Sequence, residues 1–185
     1  EMKDMTYVEL GAYDGRTESN SRFFDVCLGW KGLLIEANPS AYPLLLQNRP
    51  HAHRLSFAPS CSIAEEAANK TVGFLSTPKA WTNAAQVDTA NSDSYKEITP
   101  VPVPCGSLTP VLRDFFPPNG HVNFFSLDVE GAEHLIVQNI DFDQVYIEIL
   151  IAENQNNHCP INGPCESRRL ARAKMQEVGY ILFEN

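Results

Sequence analysis

Hydrophobic residues fall into short, nearly continuous runs that are separated by longer amphipathic stretches. The clearest runs are residues 6–10, 32–36 and 122–127, and each ends at or beside a glycine or an acidic residue. Runs of this length with few polar positions are typical of strands buried on both faces of a parallel sheet. The pattern therefore predicts three central strands.

Weaker patterns add strands around this centre. Residues 54–57 and 144–150 predict two more strands of the same sheet, and residues 71–76 and 180–183 predict two further strands. Prolines alternate with valines in residues 98–105, which favours an extended segment at a sheet edge.

Helical spacing fills the intervals between the runs. A first helix presents one apolar face before Gly29 ends it, made of Phe23, Phe24, Val26, Cys27 and Leu28. Further helices are predicted at residues 41–48, 108–116, 131–139 and 167–178. Strands that alternate with helices at this spacing predict an α/β fold with a doubly wound, mostly parallel sheet.

The length of the chain suits one domain. It has 185 residues, and no repeat or linker divides it, so we expect residues 1–185 to form a single domain. The polar stretch 77–99 predicts a long functional loop, in which Trp81 and Asn83 could cover a substrate.

Charge narrows the choice of partners. The chain has 23 acidic and 14 basic residues, a net charge of −9. Binding a nucleic-acid backbone needs clustered cations, so the composition argues against nucleic acid as a partner. No apolar run approaches the roughly 18 residues that cross a bilayer, so no membrane span is expected within this chain.

Two features bear on the cellular compartment. Cys159 and Cys165 flank a small loop and could form a disulfide or stay as two free thiols, and their spacing is not that of a zinc site. Asn69 begins an N-glycosylation sequon, Asn-Lys-Thr. Because Glu1 is not an initiator methionine, we expect a processed or excised domain. Together these features favour a secretory or membrane-anchored full-length protein over a cytoplasmic one.

Carboxylates follow several of the predicted strands. In an open α/β sheet, ligands bind beyond the carboxyl ends of the strands. Those ends carry Glu9, Glu36, Asp128 and Glu148. We expect these acids to converge at one edge of the sheet.

The turn after the first strand indicates what binds there. Gly11 and Gly15 allow a tight turn, but the G-x-G-x-x-G pattern of a pyrophosphate site is absent. Glu36 follows Gly15 by 21 residues, at the end of the next strand, where a carboxylate accepts hydrogen bonds from ribose hydroxyls. A ribose-bearing cation without phosphate describes S-adenosylmethionine.

Five segments of the sequence resemble those of a known protein family that uses this ligand. They are residues 7–15 (YVELGAYDG), 29–39 (GWKGLLIEANP), 103–108 (VPCGSL), 125–133 (FSLDVEGAE) and 177–180 (EVGY). With them the sequence resembles the FkbM-type family of S-adenosylmethionine-dependent O-methyltransferases, whose fold is Rossmann-like. The match runs along nearly the whole chain. It is most similar to eukaryotic members, which are often membrane-anchored or secretory and include trafficking factors.

The resemblance implies a role for each matching residue. The methionine-side loop would consist of Glu9, Gly11, Ala12, Tyr13 and Gly15. Glu36 would hold the ribose with Asn38 beside it, Cys61 and Ser62 would lie near the adenine, and Asp128 would face the methionine moiety or the acceptor.

Methyl transfer to a hydroxyl of a small molecule or glycan needs aligned reactants and a base. The candidate bases are Asp128, which is favoured because it ends a central strand, Glu130, Glu148 and His134, which is more typical of a surface or packing histidine. Asp128 could instead bind the cofactor, and the carboxylate of Glu130 could instead stabilise the N-terminus of a helix. Glu148 could join Asp128 as a ligand of a divalent cation, although no metal site is predicted. The rival functions are a non-catalytic interaction or trafficking module and a nicotinamide-dependent oxidoreductase.

Overall fold

The computed structural model describes residues 4–76, 84–87, 89, 99–153 and 165–183. The strands of this described part are β1 (Thr6–Leu10), β2 (Lys31–Ile35), β3 (His53–Leu55), β4 (Thr71–Leu75), β5 (Ala85–Gln86), β6 (Val101–Pro104), β7 (His121–Leu127) and β8 (Tyr146–Ala152). Its helices are α1 (Arg22–Val26), α2 (Tyr42–Asn48), α3 (Ile63–Ala67), α4 (Leu108–Phe115), α5 (Glu133–Asn139) and α6 (Glu166–Glu177).

Five strands form a parallel sheet in the order β3-β2-β1-β7-β8. The chain builds outward from β1 to β3 and then returns to add β7 on the other side of β1. The strand order therefore reverses between β1 and β7, which is where open α/β sheets bind their ligands. A second, antiparallel sheet has the order β5-β4-β6.

Apolar side chains cover both faces of the parallel sheet. On one face, Val8 and Leu10 of β1 pack in a core with Leu112 of α4 and Ile136 of α5. On the opposite face, Tyr7 and its neighbours pack with α2 in a second core that includes Leu34, Leu45 and Trp30. Alternate residues of one strand thus serve two helical layers, as the doubly wound α/β prediction requires.

Several predicted elements differ from the structure. The last parallel strand lies two residues later than predicted, because residues 141–144 form a turn in which the Gln144 N–H donates to the Asp141 carbonyl (3.1 Å). Residues 180–183 were predicted as a strand, but they form no ladder and their side chains are largely exposed beyond Tyr180. Helix α3 was not predicted. Most of the predicted 77–99 loop, including Trp81 and Asn83, lies outside the described residues.

A disulfide joins the segment before α3 to the residue after β6. Cys61 and Cys105 form a disulfide, which the sequence did not predict. Cys165 is also disulfide-bonded, but Cys159, its proposed partner, lies outside the described residues. Cys27 is a free and exposed thiol. Within the described ranges, no helix is long and apolar enough to span a membrane.

Candidate functional site

A pocket of about 260 Å³ opens at the carboxyl ends of β1, β2 and β7. Residues from both sheets line it. The polar lining residues include Glu9, Thr17, Glu18, Ser19, Asn20, Glu36, Asn38, Ser60, Gln86, Asp128, Glu130 and Glu153. The pocket therefore lies at the switch point that the topology marks.

Glu36 follows β2 and is a buried, hydrogen-bonded acid of the pocket. Its side chain is 5% exposed, and its two oxygens accept backbone hydrogen bonds from Tyr13 and Asn38, each at 2.6 Å. Burial raises the pKa of Glu36 to about 7, although these two N–H groups oppose the shift. Each oxygen keeps a further lone pair for a ligand hydroxyl, which suits the predicted ribose contact.

Glu9 is the next-to-last residue of β1, and its side chain connects the following loop to the sheet. It accepts hydrogen bonds from Ser21 Oγ (2.6 Å), the Asn20 N–H (2.7 Å) and Ser19 Oγ (2.8 Å). Burial raises its pKa, and these donors lower it. The structure thus gives Glu9 a role in shaping the loop at the pocket wall.

The loop after β1 approaches β7 too closely for any side chain at Gly11. A Cβ there would lie 1.7 Å from the carbonyl oxygen of Asp128, and the backbone φ is +75°. The N–H groups of Gly11 and Ala12 both donate to the Ile35 carbonyl, at 3.0 and 3.2 Å. Ala12 and Tyr13 line the pocket. Gly15 does not line it and lies next to the Arg49 side chain.

Arg49, a residue that no sequence pattern indicated, donates hydrogen bonds to this loop. Its side chain is buried, with Nε 2.6 Å from Asp25 Oδ2 and Nη2 donating to Tyr7 Oη at 2.8 Å. Nη1 donates to the Gly15 carbonyl (3.1 Å) and to Ser19 Oγ (3.2 Å). A lone arginine after a predicted helix gave no signal of this role, because its partners lie in β1, in the loop after β1 and in α1.

Asp128 follows β7 and shares the pocket with two further acids. Asp128, Glu130 and Glu153 can each offer one oxygen within 4.8 Å of the others. Burial raises the pKa of Asp128, its hydrogen bond with Glu153 opposes this, and the charge of Glu130 adds to it. A raised pKa suits a base that works near neutral pH. The three oxygens could also ligate a cation, but clustered acids are common without one, and we assign no metal.

Glu148 is not part of this site. It was predicted to end its strand, but it is the third residue of β8 and lies opposite the β7 segment far from the pocket lining. Its Oε1 pairs with His121 Nε2 at 2.7 Å on the exposed surface. Glu153, the residue after β8, takes the position that the sequence assigned to Glu148. Because β8 continues to Ala152, Glu148 lies inside the strand and Glu153 is the acid at its carboxyl end.

Cys61 and Ser62 do not line the pocket either. Cys61 is held in the disulfide, and Ser62 caps α3 in a reciprocal pair with Glu65. Ser60 reaches the pocket instead, with its Oγ donating to Gln86 Oε1 at 2.7 Å. Ser60 directly precedes the two predicted residues. Gln86 comes from a part of the chain whose sequence did not predict a strand.

The charge of the pocket restricts its ligand. The described lining residues include six carboxylates and no lysine, arginine or histidine. Such a wall repels phosphate and attracts cations and hydroxyl donors. The residues present therefore fit a ligand with hydroxyls and a positive charge, such as S-adenosylmethionine, and they do not fit a pyrophosphate.

Comparison with known proteins gives one match. A family model described as the methyltransferase FkbM domain matches residues 9–182. No curated protein and no solved structure matches the chain.

Proposed function

Because the chain belongs to the FkbM methyltransferase domain family, we propose that it transfers a methyl group from S-adenosylmethionine to a hydroxyl of a small molecule or glycan. The environment of Glu36 is the observation that best supports this choice of cofactor. It is a buried carboxylate at the end of β2, held by two backbone N–H groups in a pocket without described cationic side chains.

S-adenosylmethionine would supply an activated methyl group on a sulfonium. The chain's own residues would orient that group and prepare the acceptor. Glu36 binds the ribose hydroxyls, and the loop fixed by Glu9 and Gly11 shapes the wall beside the methionine portion. The acidic wall favours the sulfonium over its neutral product, which aids product release.

Asp128 is the base that we propose for the acceptor hydroxyl. It lies beside the switch point, and burial raises its pKa, which makes it a stronger base than an ordinary aspartate. Glu130 and Glu153 lie close enough to share or relay that proton. Glu148 has no part in the reaction, since its side chain pairs with His121 outside the pocket.

The experiment measures transfer of a radiolabelled methyl group from S-adenosylmethionine to a panel of sugars, glycans and small alcohols. We expect a labelled methyl ether, and we expect Asp128→Asn to lower kcat by about 10² to 10⁴. Glu148→Gln, the matched control, should react like the parent.

Two results would count against this assignment. A loss of cofactor affinity in Asp128→Asn without a fall in kcat would make Asp128 a cofactor ligand and not a base. Cofactor binding with no transfer to any acceptor of the panel would favour the rival, non-catalytic interaction or trafficking module.

A further inference from the structure

The Asn69-Lys70-Thr71 segment lies on the surface, at the turn between α3 and β4. All three residues are exposed. The Asn69 N–H donates to the Glu66 carbonyl (2.8 Å) and the Lys70 N–H to the Glu65 carbonyl (3.0 Å), and Lys70 Nζ pairs with Glu65 Oε1 at 2.5 Å, so both backbone and side-chain bonds hold the turn. The side-chain amide of Asn69 forms no hydrogen bond with the part of the chain that the structure describes.

This turn is joined directly to a disulfide. The Cys105 N–H donates to the Lys70 carbonyl at 3.0 Å, and Cys105 is bonded to Cys61 at the start of the α3 segment. Both cysteines are buried, at 1% and 5% exposure. Buried disulfides persist in oxidising compartments and are rare in the cytosol. The endoplasmic reticulum, one of the compartments in which disulfides form, also glycosylates asparagine in Asn-x-Ser/Thr sequons.

We propose that Asn69 carries an N-linked glycan that is attached in the secretory pathway. The co-reactant is a lipid-linked pyrophosphoryl oligosaccharide of that compartment. A bond forms between Asn69 Nδ2 and C1 of the first sugar, the bond from C1 to the pyrophosphate oxygen breaks, and the lipid pyrophosphate leaves as the amide loses one proton. This inference does not depend on the proposed methyl transfer.

The glycan would leave the pocket open. No residue between Ser60 and Phe74 lines the pocket, so α3 and the turn after it lie outside the pocket wall. A solvated glycan at the end of α3 would instead cover exposed surface near the disulfide. Modification and cofactor binding are therefore compatible in one molecule.

The chain contains its own negative control. Asn38-Pro39-Ser40 has the same outer residues, but its central proline blocks glycosylation. Asn38 is also buried, at 4% exposure, with Oδ1 accepting from Ser40 N–H and Ser76 Oγ. Only the Asn69 segment thus combines a permitted sequence with an exposed position.

The experiment translates the full chain, behind a cleavable leader, in the presence of endoplasmic-reticulum microsomes. Mass spectrometry before and after enzymatic glycan removal locates the glycan and scores the Cys61–Cys105 disulfide in the same chains. We expect one glycan at Asn69, its complete loss in Asn69→Gln and in Thr71→Ala, and its retention in Thr71→Ser.

Three results would overturn the proposal. They are a bare Asn69 in chains whose Cys61–Cys105 disulfide has closed, a lumenal chain in which that disulfide never closes, and a glycan on another asparagine. Because the disulfide is scored separately, a folding defect in one variant does not hide the outcome for the parent chain.

Discussion

At the scale of single residues, Glu36 combines two opposing influences on its charge. Burial favours the neutral acid, whereas the two N–H groups that donate to its oxygens favour the ionised carboxylate. Its oxygens accept two short backbone hydrogen bonds, while burial raises its pKa to about 7. In the unfolded chain a glutamate titrates near 4.3. Between those two values the folded state binds the extra proton.

The sign of the pH dependence follows from this difference. Since the folded state holds more protons, the contribution of Glu36 to the free energy of unfolding falls as pH rises from about 4.5 to about 7. We expect the ligand-free parent to lose about 2 to 3 kcal/mol more than Glu36→Gln over this range. Urea unfolding at a series of pH values measures both curves, and parallel curves would show that Glu36 titrates normally.

Arg49 shows a different residue-scale effect, since it is buried and charged. Replacing it by methionine would leave Asp25 without its partner and remove the donors to the Gly15 carbonyl and Tyr7 hydroxyl. We expect Arg49→Met to lower the free energy of unfolding by about 3 to 5 kcal/mol.

Arg113→Met is the matched control for this prediction. Its pair with Asp114 is exposed, so the expected loss is below about 1 kcal/mol. Equal losses in the two variants, measured by urea unfolding, would mean that the Arg49 network does not support the loop.

At the scale of elements, the loop between β1 and α1 depends on contact with the end of β7. Gly11→Ala would force a methyl group into the Asp128 carbonyl, whereas Gly29→Ala has a similar φ of +67° with no atom within 4 Å. We expect about 1 to 2 kcal/mol of destabilisation from the backbone strain in Gly29→Ala. Gly11→Ala should lose at least about 3 kcal/mol and also lose cofactor binding.

Thermal unfolding and cofactor titration of the two alanine variants check this comparison. If Gly11→Ala behaves like Gly29→Ala in both measurements, the close approach of the loop to Asp128 does not shape the pocket.

Element type was predictable because buried parallel strands and amphipathic helices leave local patterns. Element ends were not, and the site depends on them. Glu148 and Glu153 both follow apolar residues, and only the ladder between β7 and β8 decides which one reaches the pocket. Cys61 and Cys105 are 44 residues apart in sequence, so spacing carried no information about their pairing.

At the scale of the whole molecule, part of the net charge of −9 is concentrated in one place. Six of the carboxylates line one pocket, where the described residues include no compensating cation side chain. A pocket of this charge discriminates between ligands that share a ribose, because it disfavours the pyrophosphate of a nicotinamide cofactor and tolerates a sulfonium. The topology places the pocket, and the charge selects its ligand class.

The most direct test of the account is calorimetric titration of the folded protein at pH 8, where Glu36 is mostly ionised. S-adenosylmethionine and its demethylated product, S-adenosylhomocysteine, should both bind the parent, and NAD should not. Glu36→Gln should bind the product at least about tenfold more weakly, because its neutral amide replaces a carboxylate acceptor for the ribose. A parent that binds neither sulfur nucleoside, or a Glu36→Gln protein that binds as tightly as the parent, would contradict the account.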